Sequence, residues 1–196
     1  MFLSDPPEND AVHALYEASR LEDGYVTNFL RVWGWRPDVF CAFREMRTSL
    51  ASRTTLSERE IAVLNATTAS RLGDGYCSIA WGSRLAKLTT PAVAASLLRA
   101  EEQPPLSGRE TALMHWAAAM LADPNATTRK SVESLKSAGL DEQEIFDATL
   151  LVAFRLAFST VNDALGATPD RGLVEAAPAE VTASVTYGRS LATSSE

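Results

Sequence analysis

A cysteine at the predicted start of a helix is the residue of this sequence best suited to chemistry. Cys77 follows Gly73-Asp74-Gly75-Tyr76, and this break comes directly after an apolar helical segment that begins at Ser57. At a helix N-terminus the backbone N–H groups lack intrahelical partners and the dipole is positive, so a thiolate is favoured over a thiol. Cys77 is therefore a candidate nucleophile. The alternative is a small buried hydrophobe, because free cysteine is among the most buried residue types.

Two acidic residues near Cys77 are predicted to cap helices. Ser57 and Glu60 have the spacing of a capping box, in which the hydroxyl accepts from a first-turn N–H and the carboxylate reaches back. Asp74 and Cys77 repeat this spacing, which predicts that Asp74 accepts a hydrogen bond from the backbone N–H of Cys77. As an anion near the sulfur, Asp74 would also raise the thiol pKa and oppose the dipole. Both acids therefore have a structural role to weigh against a catalytic one.

Four short motifs give the chain a resemblance to a known family. They are Arg36-Pro37-Asp38, Leu56-Ser57-Glu58-Arg59-Glu60, Tyr76-Cys77 and Phe158-Ser159-Thr160-Val161-Asn162-Asp163-Ala164-Leu165-Gly166. With these motifs the chain resembles the carboxymuconolactone decarboxylase and alkylhydroperoxidase D-like superfamily from about Trp33 to Gly166. The resemblance implies an all-helical, oligomeric protein. For the peroxidase branch it also implies a glutamate, a Cys-x-x-Cys pair and a histidine four residues after the second cysteine.

Carried over by position, the resemblance gives catalytic places to four residues of this chain. Cys77 falls on the cysteine that reacts with peroxide, and Asp74 falls on the resolving cysteine. Trp81 falls on the histidine that relays a proton, and Glu60 lies about two residues further from the Cys-x-x-Cys position than the family's glutamate. An internal disulfide between positions 74 and 77 is therefore impossible. The decarboxylase branch also relies on a histidine in the region where this chain has Trp81.

The composition is that of one soluble globular domain. The 196 residues are 46% apolar and 22% charged, and the formal net charge is −7. This charge argues against nucleic acid and anionic membranes as partners, because no basic surface is available to bind phosphates. The two cysteines have no metal-ligand pattern around them, and no cofactor motif is present. The start of the chain lacks the features of a signal peptide, and no run reaches the roughly 20 apolar residues of a membrane span, so we expect a cytoplasmic protein.

Helical periodicity and capping signals extend over most of the chain, and no strand pattern persists. Helices are predicted over about residues 10–20, 26–33, 57–72, 74–88, 90–101, 128–137 and 141–165, with two more starting near Pro37 and Ser107. The predicted fold is all-α, a helical bundle of the alkylhydroperoxidase D-like type, in one domain over residues 1–166. Residues 167–196 are rich in Ala, Pro, Thr and Ser, which predicts a tail that is extended, disordered or laid on a neighbouring subunit.

The motif around Ser57 recurs 50 residues later. Leu106-Ser107-Gly108-Arg109-Glu110 echoes Leu56-Ser57-Glu58-Arg59-Glu60, which favours a duplicated helical unit whose second copy lacks a cysteine. In the long apolar helix that follows, Arg155 needs a partner if it is buried, and we expect a carboxylate rather than a substrate anion. The remaining candidates are predicted to be packing or surface residues: Cys41, His13 and His115.

Three functions are compatible with these residues. The first is a thiol-dependent, peroxidase-like antioxidant oxidoreductase, in which Cys77 attacks a peroxide or a similar small molecule and an external thiol reductant replaces the resolving cysteine. The second is a catalytically silent oligomeric binding or interaction protein. The third is a lactone decarboxylase. A homo-oligomer is expected, because a nearly all-apolar long helix and four tryptophans provide more apolar surface than one subunit can hide.

Overall fold

The computed structural model describes residues 1–101 and 104–190. This part of the chain contains eleven α-helices and no strand, which confirms the all-α prediction. In chain order the helices are α1 Asp10–Asp23, α2 Asn28–Trp33, α3 Pro37–Arg53, α4 Glu58–Leu72, α5 Gly75–Leu88, α6 Pro91–Leu98, α7 Gly108–Ala122, α8 Arg129–Ser137, α9 Glu142–Ala164, α10 Arg171–Ala176 and α11 Ala179–Ser184.

The predicted caps begin three of the long helices. Ser57, Ser107 and Asp141 each accept a hydrogen bond from the N–H three residues later, and the glutamate at that position accepts one from the N–H of the cap residue. Gly73 ends α4 with a φ of 72°, a left-handed conformation that glycine adopts without strain. Helix α6 ends at Leu98 rather than at the predicted residue 101.

Helix α4 lies at the centre of the bundle and packs against α5, α7 and α9. One apolar cluster around Leu64 and Leu113 joins α4 to α7, α8 and α9. A second cluster around Val63 and Leu98 joins α4 to α5, α6 and α11. Because both clusters hold α4 in place, its C-terminal end and the start of α5 that follows have a fixed position in the core.

An aromatic cluster joins the N-terminal helices to α5 and α9. The ring of Trp33 stacks on the Phe43 ring with 5.8 Å between centroids and on the Phe158 ring with 5.7 Å. Cys77 packs in the same cluster together with Phe40. Side chains from α2, α3 and α9 therefore surround the first turn of α5.

The segment after residue 166 corrects a prediction. In place of an extended or disordered tail, the chain forms α10 and α11, and Val181 is fully buried. Gly82 allows this contact, because a Cβ at that position would lie 2.6 Å from Leu98 Cδ1 and 3.0 Å from Val181 Cγ1. The composition was misleading because a few specific contacts anchor the segment, among them Val181 over Gly82 and the hydrogen bonds from Tyr187 to Ser78 and from Arg189 to the Asp163 carbonyl. Residues 191–196 of the predicted tail lie outside the described residues.

Candidate functional site

Cys77 lies in the first turn of α5 and is 3% exposed. Its backbone N–H donates a 2.8 Å hydrogen bond to Oδ1 of Asp74, which confirms that Asp74 is the N-cap of the helix. Asp74 itself is fully buried, and its Oδ2 atom has no hydrogen-bond partner among the described residues. The sequence thus predicted correctly both the place of Cys77 and the contact that fixes it.

Arg155, on α9, contacts the sulfur atom directly. Its Nη1 donates to Sγ of Cys77 at 3.2 Å, its Nε donates to Oδ1 of Asn65 at 3.0 Å, and the residue is 3% exposed. Its guanidinium carbon lies 5.2 Å from the ring centroids of both Trp81 and Phe158. The prediction of a carboxylate partner is wrong for the described part of the chain, since the groups that hold Arg155 are an amide, a sulfur atom and aromatic faces. Asn65 gave no signal in the sequence, because its contact spans two distant helices.

Burial dominates the protonation of this thiol. The pKa of Cys77 is raised to about 12: burial is the largest cause, the charge of Arg155 opposes it, the charge of Asp74 and a hydrogen bond to it add to the rise, and Ser159 lowers the value slightly. The predicted effect of Asp74 on the thiol therefore agrees with the structure. The predicted preference for a thiolate does not, because desolvation of a buried anion outweighs the helix dipole.

A second arginine lies close to this pair. The guanidinium carbon of Arg47, on α3, is 5.6 Å from the Phe158 centroid and 5.9 Å from the Phe43 centroid. Burial lowers the pKa of Arg47 to about 10, the charge of Arg155 lowers it too, and Cys77 opposes both effects. Across residues 1–101 and 104–190, no carboxylate oxygen lies within 4 Å of Arg47 or Arg155. Two cations thus share one aromatic ring beside the thiol without an acidic partner.

A cavity of about 340 Å³ opens beside the first turns of α5. Tyr76 and Ala80 of α5 line it together with Phe158 of α9 and Arg47 of α3. Cys77 does not line it, but it packs in the aromatic cluster that forms one wall. A small molecule in this cavity would therefore lie next to the buried thiol.

The cavity also has an acidic side. The Tyr76 hydroxyl donates to Asp170, which also accepts a 2.9 Å hydrogen bond from the backbone N–H of Asn28. Burial raises the pKa of Asp170, and burial followed by the charge of Glu22 raises that of Asp23. These acids lie at the end of α1 and the start of α10, and α1 packs against α3, the helix that carries Arg47.

The two other predicted site residues have different surroundings. Trp81 is half-buried and packs against the Arg155 guanidinium, which in turn contacts the Cys77 sulfur. Glu60 completes its capping box and pairs with Arg109 at 2.6 Å, at the opposite end of α4 from Gly73. The structure thus brings Asp74 and Trp81 to the thiol site and holds Glu60 in an ion pair elsewhere.

The described residues contain neither a cluster of metal-ligating side chains nor a membrane-spanning helix. No group of three or more His, Cys, Asp or Glu side chains is placed to hold a metal ion in residues 1–101 and 104–190. Within the same ranges, no helix combines the length and the apolar character needed to cross a membrane.

Solved structures share this fold. An uncharacterized peroxidase-related protein with an alkylhydroperoxidase AhpD core, from Ralstonia eutropha JMP134, has a TM-score of 0.78 at 19% identity over 88% of this chain and 93% of its own. An uncharacterized peroxidase-related protein from Silicibacter sp. TM1040 has a TM-score of 0.78 at 23% sequence identity, over 87% of this chain and 92% of its own. The debrominase Bmp8, in a complex with 2,3,4-tribromopyrrole, has a TM-score of 0.69 at 15% sequence identity, over 87% of this chain and 93% of its own.

These similarities define the class of fold. The chain shares the all-α fold of these solved structures, one of which is described as an alkylhydroperoxidase AhpD core, and this is the fold that the sequence motifs implied. No protein-family model and no curated protein matches the sequence. At these identities the neighbours establish the architecture, and the activity has to be argued from the residues of the site.

Proposed function

We propose that this protein is a thiol-dependent, peroxidase-like oxidoreductase in which Cys77 is the reacting group. The contact of 3.2 Å between the Arg155 guanidinium and the Cys77 sulfur carries the proposal. A buried cation without a carboxylate partner stabilises an anion that forms beside it, and the thiolate is that anion. Arg155 therefore supplies the positive charge at a site where this chain has Trp81 in place of a histidine.

The proposed reaction conserves atoms and electrons. Cys77 loses its proton to solvent, and the thiolate attacks the outer oxygen of a peroxide, so that an S–O bond forms and the O–O bond breaks. The leaving alkoxide takes up a proton, which gives an alcohol and a sulfenic acid on Cys77. An external thiol then forms a mixed disulfide with release of water. A second external thiol releases Cys77 as a thiol, and the reductant leaves as a disulfide.

Two of the structural neighbours support a redox role, because they are described as peroxidase-related proteins. A third is a debrominase in complex with an aromatic ligand, so the fold accommodates a small aromatic molecule in at least one protein. The substrate of this chain is accordingly proposed to be a small organic molecule. Its reductant is proposed to be a separate thiol, because position 74 holds an aspartate.

A second candidate is a catalytically silent binding protein of the same fold. The observation that favours it is the burial of Cys77 at 3% exposure with a pKa raised to about 12. A thiol that stays neutral and covered is a poor nucleophile. In this alternative, the cavity binds a ligand and Cys77 serves only as a packing residue.

Mild peroxide oxidation separates the two candidates. We expect folded protein treated with hydrogen peroxide and then a sulfenic-acid reagent to carry the adduct on Cys77, detected by peptide mass spectrometry. The variant Cys41→Ser should retain the adduct, and Cys77→Ser should lose it. Unmodified Cys77 in folded protein would favour the silent binding protein. A disulfide between Cys41 and Cys77 as the main product would show that Cys41 is the resolving group instead of an external thiol.

A further inference from the structure

Two cations that the thiol site does not account for line the cavity beside Cys77: Arg44, which lies over the Phe40 ring, and Arg47, which lies over Phe43 and Phe158. Arg155 has the sulfur and Asn65 as hydrogen-bond partners, whereas Arg47 lines the cavity and its known contacts are aromatic faces. Arg47 is half-buried, and partial removal of a guanidinium from water costs free energy unless its donors are satisfied or its charge is matched. Among the described carboxylates, none lies within 4 Å of Arg47 to provide that match.

Aromatic side chains form the walls next to this cation. Phe29, Phe40, Phe43 and Phe158 all line the cavity, and the Phe43 and Phe158 rings are nearly parallel at 9° with centroids 6.3 Å apart. Flat apolar ligands bind well against the accessible faces and edges of such rings, because they bury apolar area and stack there. The volume of about 340 Å³ is at the lower end for ligand pockets, which suits a small aromatic molecule.

The charged side chains of the cavity lie on different helices. Arg44 and Arg47 belong to α3, whereas Glu22 and Asp23 belong to α1. One oxygen of Asp170 is occupied by the Tyr76 hydroxyl and the other by the Asn28 N–H. An anionic group paired to Arg47 therefore does not meet Asp170 as a competing free carboxylate, and no described carboxylate lies within 4 Å of Arg47.

From this arrangement we infer that the cavity binds a small aromatic anion, with its anionic group paired to Arg47 and its ring packed against Phe43 and Phe158. The inference rests on the proposed function, because it names the substrate class of the same site. Bound in this way, the ligand lies against the aromatic wall that also covers Cys77. The guanidinium then both selects the charge of the ligand and orients its ring.

Equilibrium binding to a variant that cannot react tests this inference. In a Cys77→Ser background, isothermal titration calorimetry at pH 7 would compare naphthalene-2-carboxylate, naphthalene-2-carboxamide and 2-naphthylmethylamine as probes. We expect the carboxylate to bind about tenfold more tightly than the neutral amide, a difference of about 1.4 kcal/mol, because only the carboxylate pairs with the charge of the guanidinium. The amine should bind most weakly.

Substitution of the arginine identifies the group responsible. Arg47→Gln should remove the preference for the carboxylate and leave amide binding within about twofold, whereas Arg129→Gln, an exposed arginine at the start of α8, should change neither. Tighter binding of the amine than of the carboxylate would overturn the inference in favour of the acidic side. Equal binding of all three probes, or none, would also overturn it. Because the assay involves no chemistry, these outcomes are independent of whether Cys77 reacts with peroxide.

Discussion

Arg109 pairs with Glu60 at 2.6 Å, and each belongs to a different copy of the recurring motif. The reciprocal pair is also present, because Arg59 donates a 3.0 Å hydrogen bond to Glu110. Each arginine therefore binds the capping-box glutamate of the other copy. This is the pattern expected of two similar helical units packed around an approximate two-fold axis. It supports the duplicated unit that the five-residue echo suggested.

The ion pairs of Arg109 should contribute more to the stability of the fold than the Arg59–Glu110 pair. Arg109 bridges Glu60 and Glu144, both 10% exposed in their side chains, so its removal leaves two largely buried carboxylates without a cation. Arg109→Gln should lower the free energy of unfolding by about 1–3 kcal/mol, less than for a fully buried pair because Arg109 is partly exposed. Urea denaturation at pH 7 measures the change. Arg129→Gln is the control and should stay within about 0.5 kcal/mol of wild type.

The effect of Arg109 should also depend on pH. Burial raises the pKa of Glu60, but hydrogen bonds from Arg109 and Ser57 outweigh this effect and lower its pKa below the usual value. Hydrogen bonds from Arg109 likewise lower the pKa of Glu144. A carboxyl group whose pKa is lower in the folded than in the unfolded protein stabilises the fold at any pH above its unfolded pKa. This stabilisation is lost as the pH falls through its folded pKa. The stability difference between wild type and Arg109→Gln should therefore shrink from pH 6 to pH 3. A constant difference would show that Arg109 acts through packing alone.

The sequence was informative where the cause of structure is local. Caps such as Ser57 and Asp74 act over three residues, and they were predicted with the correct partners. The contacts of Arg155 were not predictable, because Asn65 and Cys77 reach it from helices that come together only in the folded chain. The burial of Val181 was missed for the same reason, since the glycine that receives it is about a hundred residues earlier. The motifs identified the site, while its electrostatics required the structure.

The alkylation rate of Cys77 should rise steeply with pH. Because burial raises its pKa to about 12, the thiolate fraction should increase about tenfold per pH unit between pH 7 and pH 10. Iodoacetamide labelling of folded Cys41→Ser protein measures this rate. The urea-unfolded protein, with a thiol pKa of about 8.5, is the control and should level off near pH 9.5. A plateau below pH 9 in the folded protein would contradict the raised pKa.

Arg155 should determine how much thiolate forms. Arg155→Gln removes the charge that lowers the Cys77 pKa, so alkylation at pH 9 should slow by about tenfold or more. Arg155→Lys keeps the charge and should recover part of the rate. Circular dichroism would confirm that each variant is folded. Unchanged rates in both variants would mean that the 3.2 Å contact has no influence on the thiol.

The protein should form a dimer or a larger oligomer. Among the described residues of α3 and α9, Met46 is 48% exposed, Phe146 61% and Leu156 40%, and exposed apolar side chains of this size often mark an interface. Sedimentation at micromolar concentration should show a species larger than 21.2 kDa. The double variant Phe146→Glu with Leu156→Glu should weaken the assembly. A wild-type monomer would refute the prediction.

Asp74 should restrain the thiol as well as cap the helix. Asp74→Asn keeps the acceptor for the Cys77 N–H, so stability should change little, whereas Asp74→Ala should cost roughly 0.5–2 kcal/mol. Both changes remove a negative charge beside the sulfur, so both should lower the Cys77 pKa and speed alkylation near neutral pH. Slower alkylation of Asp74→Asn with unchanged stability would mean that the carboxylate acts as a base for the thiol.

Asp74→Cys tests what the aspartate replaces. Residues 74 and 77 are the N-cap and third position of α5, so the variant rebuilds the Cys-x-x-Cys spacing in the first turn of a helix. We expect an internal disulfide after mild oxidation, seen as a mass loss of about two hydrogens and as resistance of both cysteines to alkylation. Full peroxidase activity should still be absent, because Trp81 cannot transfer a proton as histidine does. The double variant Asp74→Cys with Trp81→His separates the two requirements: it should turn over peroxide faster than either single variant. Full activity of Asp74→Cys alone would show that Arg155 suffices without a relay residue at position 81.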